Sequence, residues 1–137
     1  MPITLEQPTG AHLLTPDGDE LAVPVTLRYT CADALAVHFV FPAWISLDDE
    51  EVTWTFARVL LHEGLGAPAG VGSVRIRPCG PARTYVEFRT PAGIAVVRFD
   101  TSALRRFLLR SYEIAAPGGE AVGPALDRGL ASMLGGV

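Results

Sequence analysis

Apolar and polar residues alternate with a period of two through most of the first hundred residues. This alternation is typical of strands that place one face on a core. The first strand, near residues 2–14, is the weakest, and a Pro-Gly turn at 15–19 separates it from the second. The predicted inward-facing sets are Val23, Val25, Leu27 and Tyr29; Leu35, Val37, Phe39 and Phe41; and Val52, Trp54 and Phe56.

The alternation ends after Phe56, where adjacent leucines at 60 and 61 precede Gly64. This pattern predicts a short connecting helix from Arg58, capped at its C-terminus by Gly64. Residues 66–72 are predicted to be a loop. They lack the Lys-Ser/Thr ending that phosphate-binding glycine loops require, so the loop does not indicate a nucleotide site. Three further strands are predicted at 73–78, 84–90 and 94–100, as antiparallel neighbours joined by Pro-Gly-rich turns.

Helical spacing takes over at about residue 101. Thr101 or Ser102 is a suitable N-cap for a helix that runs to about Glu113. Leu109 falls among the charged residues of this helix. The apolar face is predicted to hold Leu104, Phe107, Leu108 and Ser111, and a final helix near 123–134 carries a stripe of Leu126, Leu130, Met133 and Leu134.

Together these elements predict an α+β fold: an antiparallel β-rich domain of about seven strands, with a short connecting helix and two C-terminal helices. A chain of 137 residues, 49% of them hydrophobic, fits a single domain covering residues 1–137. Apolar stretches are too short to span a membrane, and the N-terminus lacks the features of a secretory signal. The cytoplasm is therefore the expected location.

The net charge of −4 argues against a protein whose affinity comes from neutralising many phosphates. Residues 1–70 hold ten acids against two arginines, whereas residues 71–137 hold five acids against nine arginines. If the halves form opposite sides of the molecule, this asymmetry would steer subunits or partners together head to tail. If they interleave, it indicates only internal compatibility.

No catalytic or metal-binding group emerges from the residue spacing. His12, His38 and His62 lie on separate predicted elements, and the acidic run at 48–51 lacks the ligand alternation of a calcium loop. The serines lack a nucleophile-elbow context. Cys31 and Cys79 are predicted to be buried or half-buried free thiols. The sequence therefore predicts a non-enzymatic binding protein without a cofactor, metal or small-molecule substrate.

An arginine-rich strand face offers an alternative function. An aromatic residue among arginines on a sheet can stack single-stranded bases. An ordinary solvated face balanced by Glu87 is the competing interpretation. The residues predicted to share this outward face are Arg75, Arg77, Tyr85, Arg89 and Arg98.

Two strings of residues resemble the SsgA-like proteins of sporulating filamentous actinobacteria. The first comprises Arg28-Tyr29, Ala32-Asp33, Ala36-Val37-His38 and Phe41. The second and more specific is the run Trp54-Thr55-Phe56-Ala57-Arg58-Val59-Leu60-Leu61-His62-Glu63-Gly64-Leu65, similar to the family's Trp-x-Phe-Ala-Arg-x-Leu-Leu-x-Glu-Gly-Leu core. The resemblance extends over about residues 21–134. The acidic 42–51 loop and both cysteines depart from the family pattern.

The resemblance implies a regulator of sporulation-specific cell division that helps place the division tubulin FtsZ at future septa. It further implies a whirly-like fold, assembly as a homo-oligomeric trimer, and cell-division proteins such as FtsZ and another SsgA-like protein as partners. A recruiter of this kind needs exposed apolar anchors surrounded by polar groups. The candidate partner-binding residues are Trp44, Ile45 and Leu109, because each is an apolar residue placed among charges.

Overall fold

A single eight-stranded antiparallel sheet forms the framework of the computed structural model, which describes residues 3–45 and 49–118. Short 3-10 turns occupy Cys31–Asp33 and Ala43–Ile45. The strands are β1 Thr4–Leu14, β2 Glu20–Thr30, β3 Ala36–Phe41, β4 Val52–Ala57, β5 Ala69–Val71, β6 Val74–Cys79, β7 Arg83–Thr90 and β8 Gly93–Asp100; the helices are α1 Arg58–Gly66 and α2 Thr101–Ile114.

The strand order, β4-β3-β2-β1-β8-β7-β6-β5, divides the sheet into two consecutive four-stranded meanders. They meet where β1 pairs with β8, with Ala11 opposite Phe99 and Leu14 opposite Val96. Helix α1 connects the meanders. The two sequence halves of opposite charge are therefore joined along one strand pair.

The sheet curls around its apolar face. Trp54 on β4 and Phe88 on β7 are five strand spacings apart in the sheet order. In a flat sheet with strands about 4.8 Å apart they would be separated by about 24 Å. Their ring centroids instead lie 4.7 Å apart, and the rings of Phe39 and Phe99 lie 5.4 Å apart. The two ends of the sheet therefore face each other across a shared core.

Both helices pack against the curled sheet. Helix α1 lies on β5 and β6, and α2 lies on β1, β8 and α1. The buried residues of α2 include Leu104, Phe107, Leu108 and Ser111, which confirms the predicted apolar face. Burying a side chain such as Leu104 contributes about 1.5–3 kcal/mol to the hydrophobic free energy of folding. The contacts of α2 therefore stabilise the centre of the sheet, where the two meanders meet.

Three details of the sequence prediction are corrected. The sheet has eight strands and not seven, because Ala69–Val71, predicted as loop, pairs with β6. Gly72, with φ at +60°, allows the chain to reverse there. The N-cap of α2 is Asp100; Thr101 lies inside the helix, and its hydroxyl lies 2.7 Å from that of Thr84. Gly64 does not cap α1, which continues to Gly66.

Some predictions of burial also differ from the structure. Leu35 precedes β3 and is 43% exposed, although Val37, Phe39 and Phe41 of its predicted set are buried. Both Cys31 and Cys79 are exposed free thiols.

The predicted helix at 123–134 and its leucine stripe lie outside the described residues. In the part of the chain that the structure describes, no helix is long and apolar enough to cross a membrane.

Candidate partner-binding surfaces

The string from Trp54 to Leu65 mainly builds the core. Trp54 is partly buried against Phe88, and the ring of Phe56 meets Phe39 edge-on at 4.9 Å. The structure buries Arg58, Leu60, Leu61, Gly64 and Leu65 in α1. These buried positions explain the resemblance by packing.

Arg58 is the largest of the fully buried side chains, with 1% of its surface exposed. Its guanidinium carbon lies 4.8 Å from the ring centroids of both Tyr29 and Tyr112. It donates hydrogen bonds to the Ser111 carbonyl at 3.1 Å and to the Ala116 carbonyl at 3.4 Å. Arg58 therefore ties the start of α1 to β2 and to the C-terminal end of α2. Sequence reasoning treated Arg58 only as part of the motif and did not identify it as a buried cation.

Leu109 lies on the outer face of α2 and is 57% exposed. It borders a groove of ≈ 670 Å³. Arg83 in this groove forms an ion pair with Asp100 at 3.1 Å, whereas Arg105 and Arg106 are exposed and have no ion-pair partner among the described residues. The groove is lined by Pro81, Ala82, Arg83, Asp100, Thr101, Ser102, Arg105, Arg106 and Leu109. An exposed leucine among arginines suits a partner segment that carries apolar and acidic residues.

Trp44 lies on the 3-10 turn that follows β3 and is 56% exposed. Ile45 ends this turn, and its side chain lies outside the described part of the chain. The turn is at the end of the sheet where β3 finishes, whereas the groove beside Leu109 adjoins the starts of β7 and α2. Trp44 and Leu109 therefore do not form one continuous surface.

The predicted arginine face does point away from the core. On β6 and β7, Arg75 is paired in register with Glu87, and Arg77 with Tyr85. The guanidinium of Arg77 lies 4.6 Å from the Tyr85 ring centroid, and its Nε donates to Glu87 at 3.2 Å. Arg75 and Arg89 are exposed, and neither has an ion-pair partner within the described ranges. Two of the four arginines are thus free to meet an anionic ligand.

The fourth arginine of this face, Arg98, is held by Glu20 of β2 in a close ion pair. The hydrogen bond from Arg98 lowers the pKa of Glu20 below its usual range, and the same contact raises the pKa of Arg98. Nearby, a hydrogen bond with the Cys79 thiol raises the pKa of Tyr85. These contacts link the acidic first half of the chain to the arginine face and leave Arg98 less available for a ligand.

Replacing Arg98 by glutamine is expected to raise the pKa of Glu20 toward its usual value. Because the folded-state pKa of Glu20 is lowered, this pair stabilises the fold above the unfolded pKa of about 4.3, and the contribution is lost as the pH falls through the folded pKa. NMR titration of the Glu20 side-chain carboxyl measures its pKa in the folded parent and in the folded variant. An identical titration curve in the variant and the parent would contradict the assignment.

The histidines and acids form no metal-binding group among the described residues. His38 accepts or donates a hydrogen bond at 2.8 Å to the Thr55 hydroxyl and lies 3.4 Å from Asp33. His62 lies 3.4 Å from the Tyr112 hydroxyl. Within the acidic loop, Asp49, Glu50 and Glu51 are exposed. These arrangements are those of surface and packing contacts.

Comparisons with known proteins agree with this architecture. Residues 23–120 match the model of the family described as "Streptomyces sporulation and cell division protein, SsgA". The sporulation-specific cell division protein SsgB of Salinispora tropica is 40% identical over 98% of this chain and 96% of its own length. SsgB of Streptomyces coelicolor is 37% identical over 90% of each chain.

Solved structures show the same fold. A structure reported with mutations in SsgB that correlate to longitudinal cell division during sporulation of Streptomyces coelicolor has a TM-score of 0.77 and 34% identity; the match covers 88% of this chain and 94% of that one. The crystal structure of the SsgA-like sporulation-specific cell division protein from Thermobifida fusca has a TM-score of 0.78 and 32% identity, covering 97% of this chain and 96% of that one.

Proposed function

The chain belongs to the SsgA family of sporulation and cell division proteins, and we propose that it acts in sporulation-specific cell division by positioning the division tubulin FtsZ at septation sites. The relatives described above are named as sporulation-specific cell division proteins. In this proposal the chain is a single domain that works in the cytoplasm at the septum, as a homo-oligomer whose trimeric state follows from the family resemblance. It acts through protein contacts and requires no cofactor.

The observation that carries this proposal is the exposure of two apolar side chains on a rigid framework. Trp44 and Leu109 are 56% and 57% exposed, at different ends of the curled sheet. Interface energy concentrates in a few such anchors surrounded by polar residues. In this proposal both anchors contact FtsZ, one at each end of the molecule.

The Trp44→Ala variant is expected to weaken binding to purified FtsZ by at least about 30-fold, and Leu109→Ala by about 10-fold, if both residues are interface anchors. The physical reason is the loss of apolar surface that the partner would bury. Fluorescence anisotropy or light scattering at physiological salt measures the binding. Val59→Ala is the matched control, because Val59 is a 47% exposed apolar residue on α1 that is not assigned to the interface. Equal affinities for all four proteins would contradict the assignment.

A second candidate function, single-stranded nucleic-acid binding, is favoured by one observation. Arg75 and Arg89 point outward, away from the core, on the same face as Tyr85, whose ring already stacks with Arg77. A labelled single-stranded DNA in the same titration distinguishes the two functions. Salt-sensitive DNA binding that Arg75→Ala and Arg89→Ala reduce, without FtsZ binding, would support this alternative and make the role in division indirect.

A further inference from the structure

An apolar pocket of ≈ 160 Å³ opens between the two meanders. Two aromatic pairs form much of its wall. The ring of Phe88 meets that of Phe41 edge-on, with centroids 5.6 Å apart, and lies tilted against the ring of Trp54, with centroids 4.7 Å apart. The lining comes from the end of β1, the end of β3, the start of β4, and β7 with β8. The pocket is therefore at the open end of the curled sheet that carries the β1–β2, β3–β4 and β7–β8 turns, which we call the mouth. The lining residues, all apolar, are Leu13, Phe41, Val52, Trp54, Phe88, Ala95 and Val97.

The size of the pocket selects its occupant. A cavity of about 150 Å³ lined by Leu, Ile and Phe stays dry and binds a molecule the size of benzene. The pocket at the sheet mouth has similar volume and lining, and it opens to solvent. One phenylalanine or leucine side chain therefore fits it, and a charged or amide side chain would lose hydration without gaining a hydrogen-bonding partner.

The loops around the mouth are acidic. Asp17 and Asp19 lie in the turn between β1 and β2, and Asp49, Glu50 and Glu51 directly precede Val52. All five are exposed, and none has an ion-pair partner among the described residues. The described loops at this end carry no basic residue; the exposed arginines near it, Arg75 and Arg89, lie on β6 and β7. An occupant with basic residues on both sides of its apolar anchor would complement this rim.

The outer edge of β4 suggests the backbone form of the occupant. Strand β4 ends the strand order and, within the described ranges, pairs only with β3. Val52 and Trp54 on this strand also line the pocket. An extended segment added along β4 would gain main-chain hydrogen bonds and direct alternate side chains toward the pocket.

We propose that the mouth of the curled sheet is a docking site for an extended basic segment of a partner protein, with one phenylalanine or leucine inserted into the pocket that Trp54 and Phe88 help to line. Trp44 lies three residues after Phe41 on the exposed turn at this mouth. The site thus deepens the proposed function by giving the Trp44 end of the molecule a partner of defined chemistry. The docking site depends on the proposed function in one respect, namely that the chain acts by binding a partner protein.

The test uses three fluorescent heptapeptides and the full chain. The first peptide has the sequence arginine-arginine-valine-phenylalanine-valine-arginine-arginine; the second has serine in place of phenylalanine, and the third has glutamate in place of every arginine. Anisotropy gives the affinities, and the indole N–H signals of the two tryptophans, Trp44 and Trp54, report the location by NMR. The first peptide is expected to bind at least about 10-fold more tightly than either of the others.

Ala95→Leu fills the pocket from β8 without removing a core residue. We expect it to weaken binding of the phenylalanine peptide by at least about 10-fold and to leave the serine peptide unchanged. The double variant Glu50→Gln/Glu51→Gln keeps the pocket and is expected to weaken binding about threefold, with a smaller effect at high salt. Glu63→Gln/Glu113→Gln removes the same charge from two exposed positions on α1 and α2 and is the matched control.

Unchanged affinity in Ala95→Leu, or equal binding of the arginine and glutamate peptides, would overturn the proposal. So would the absence of binding to the full chain, which would indicate that residues of the chain itself fill the pocket. If no peptide binds, sedimentation of the parent and of Ala95→Leu identifies the occupant: self-association in the parent that disappears in the variant indicates a second copy of the chain. Since no measurement here uses FtsZ, failure of this site leaves the FtsZ titration as an independent test of the proposed function.

Discussion

Replacing Gly64 by alanine is expected to lower the free energy of unfolding by about 2–4 kcal/mol. A Cβ atom at Gly64 would lie 2.4 Å from both Cβ and Cγ2 of Ile76 and 3.2 Å from the Ile76 carbonyl oxygen. Ile76 is fully buried on β6; the backbone fixes the position of its Cβ, and β-branching restricts the rotation that would move Cγ2 away. Relief therefore requires α1 to move off the sheet. Thermal unfolding should show a decrease in Tm of roughly 10 °C.

Gly66→Ala provides the matched control on the same helix. Nothing lies within 4 Å of a Cβ at Gly66, and its φ is not in the left-handed region. The variant should raise the stability by about 0.5–1 kcal/mol, because alanine favours the helix and restricts the unfolded chain. Equal effects of the two substitutions would show that helix propensity, and not contact with Ile76, determines the requirement for glycine at 64.

Replacing Arg58 by alanine is expected to destabilise the fold by about 3–5 kcal/mol. The substitution leaves a cavity between Tyr29 and Tyr112 and removes hydrogen bonds to two carbonyls at the end of α2. Each cation–π contact in a desolvated site contributes up to about 2 kcal/mol, and each hydrogen bond from a charged donor about 1.5–3 kcal/mol. Chemical denaturation followed by tryptophan fluorescence measures the change.

Arg58→Lys separates charge from shape. Lysine keeps the positive charge but lacks the planar group that stacks between two rings while donating in two directions, so most of the destabilisation should persist. Arg75→Ala, an exposed arginine on β6, should change the stability by less than about 0.5 kcal/mol. If Arg58→Lys were as stable as the parent, charge alone would account for the role of Arg58.

The burial pattern of the strands could be predicted from local alternation. Val23, Val25, Leu27 and Tyr29 were expected on one face, and each is at most 2% exposed. The inward face of α2 was predicted equally well from helical spacing. Such patterns are reliable because the side-chain period of each element determines which residues share a face, whatever surface later covers them. The predicted burial of Leu35 was wrong because this residue lies just outside β3, where strand alternation no longer applies.

The candidate surfaces could be predicted only in part. Arg75, Arg77, Tyr85, Arg89 and Arg98 do share an outward face, yet the ion pair of Arg98 with Glu20 joins residues 78 positions apart, which no local pattern indicates. The apolar pocket at the sheet mouth was missed for the same reason. Its lining residues look like ordinary core positions in sequence, and they become a pocket only because the curled sheet leaves its mouth open.

Local patterns in the sequence were sufficient to predict the α+β composition, most of the inward faces, and a family resemblance that the comparisons confirm. Only the packing of distant segments establishes that β1 pairs with β8, that Ala69–Val71 joins the edge, that Gly64 accommodates Ile76, and that Arg58 is enclosed by Tyr29 and Tyr112. The two groups differ in the range of the interactions that produce them. Periodicity and turn chemistry act over a few residues, whereas these contacts depend on how distant segments pack once the sheet has curled.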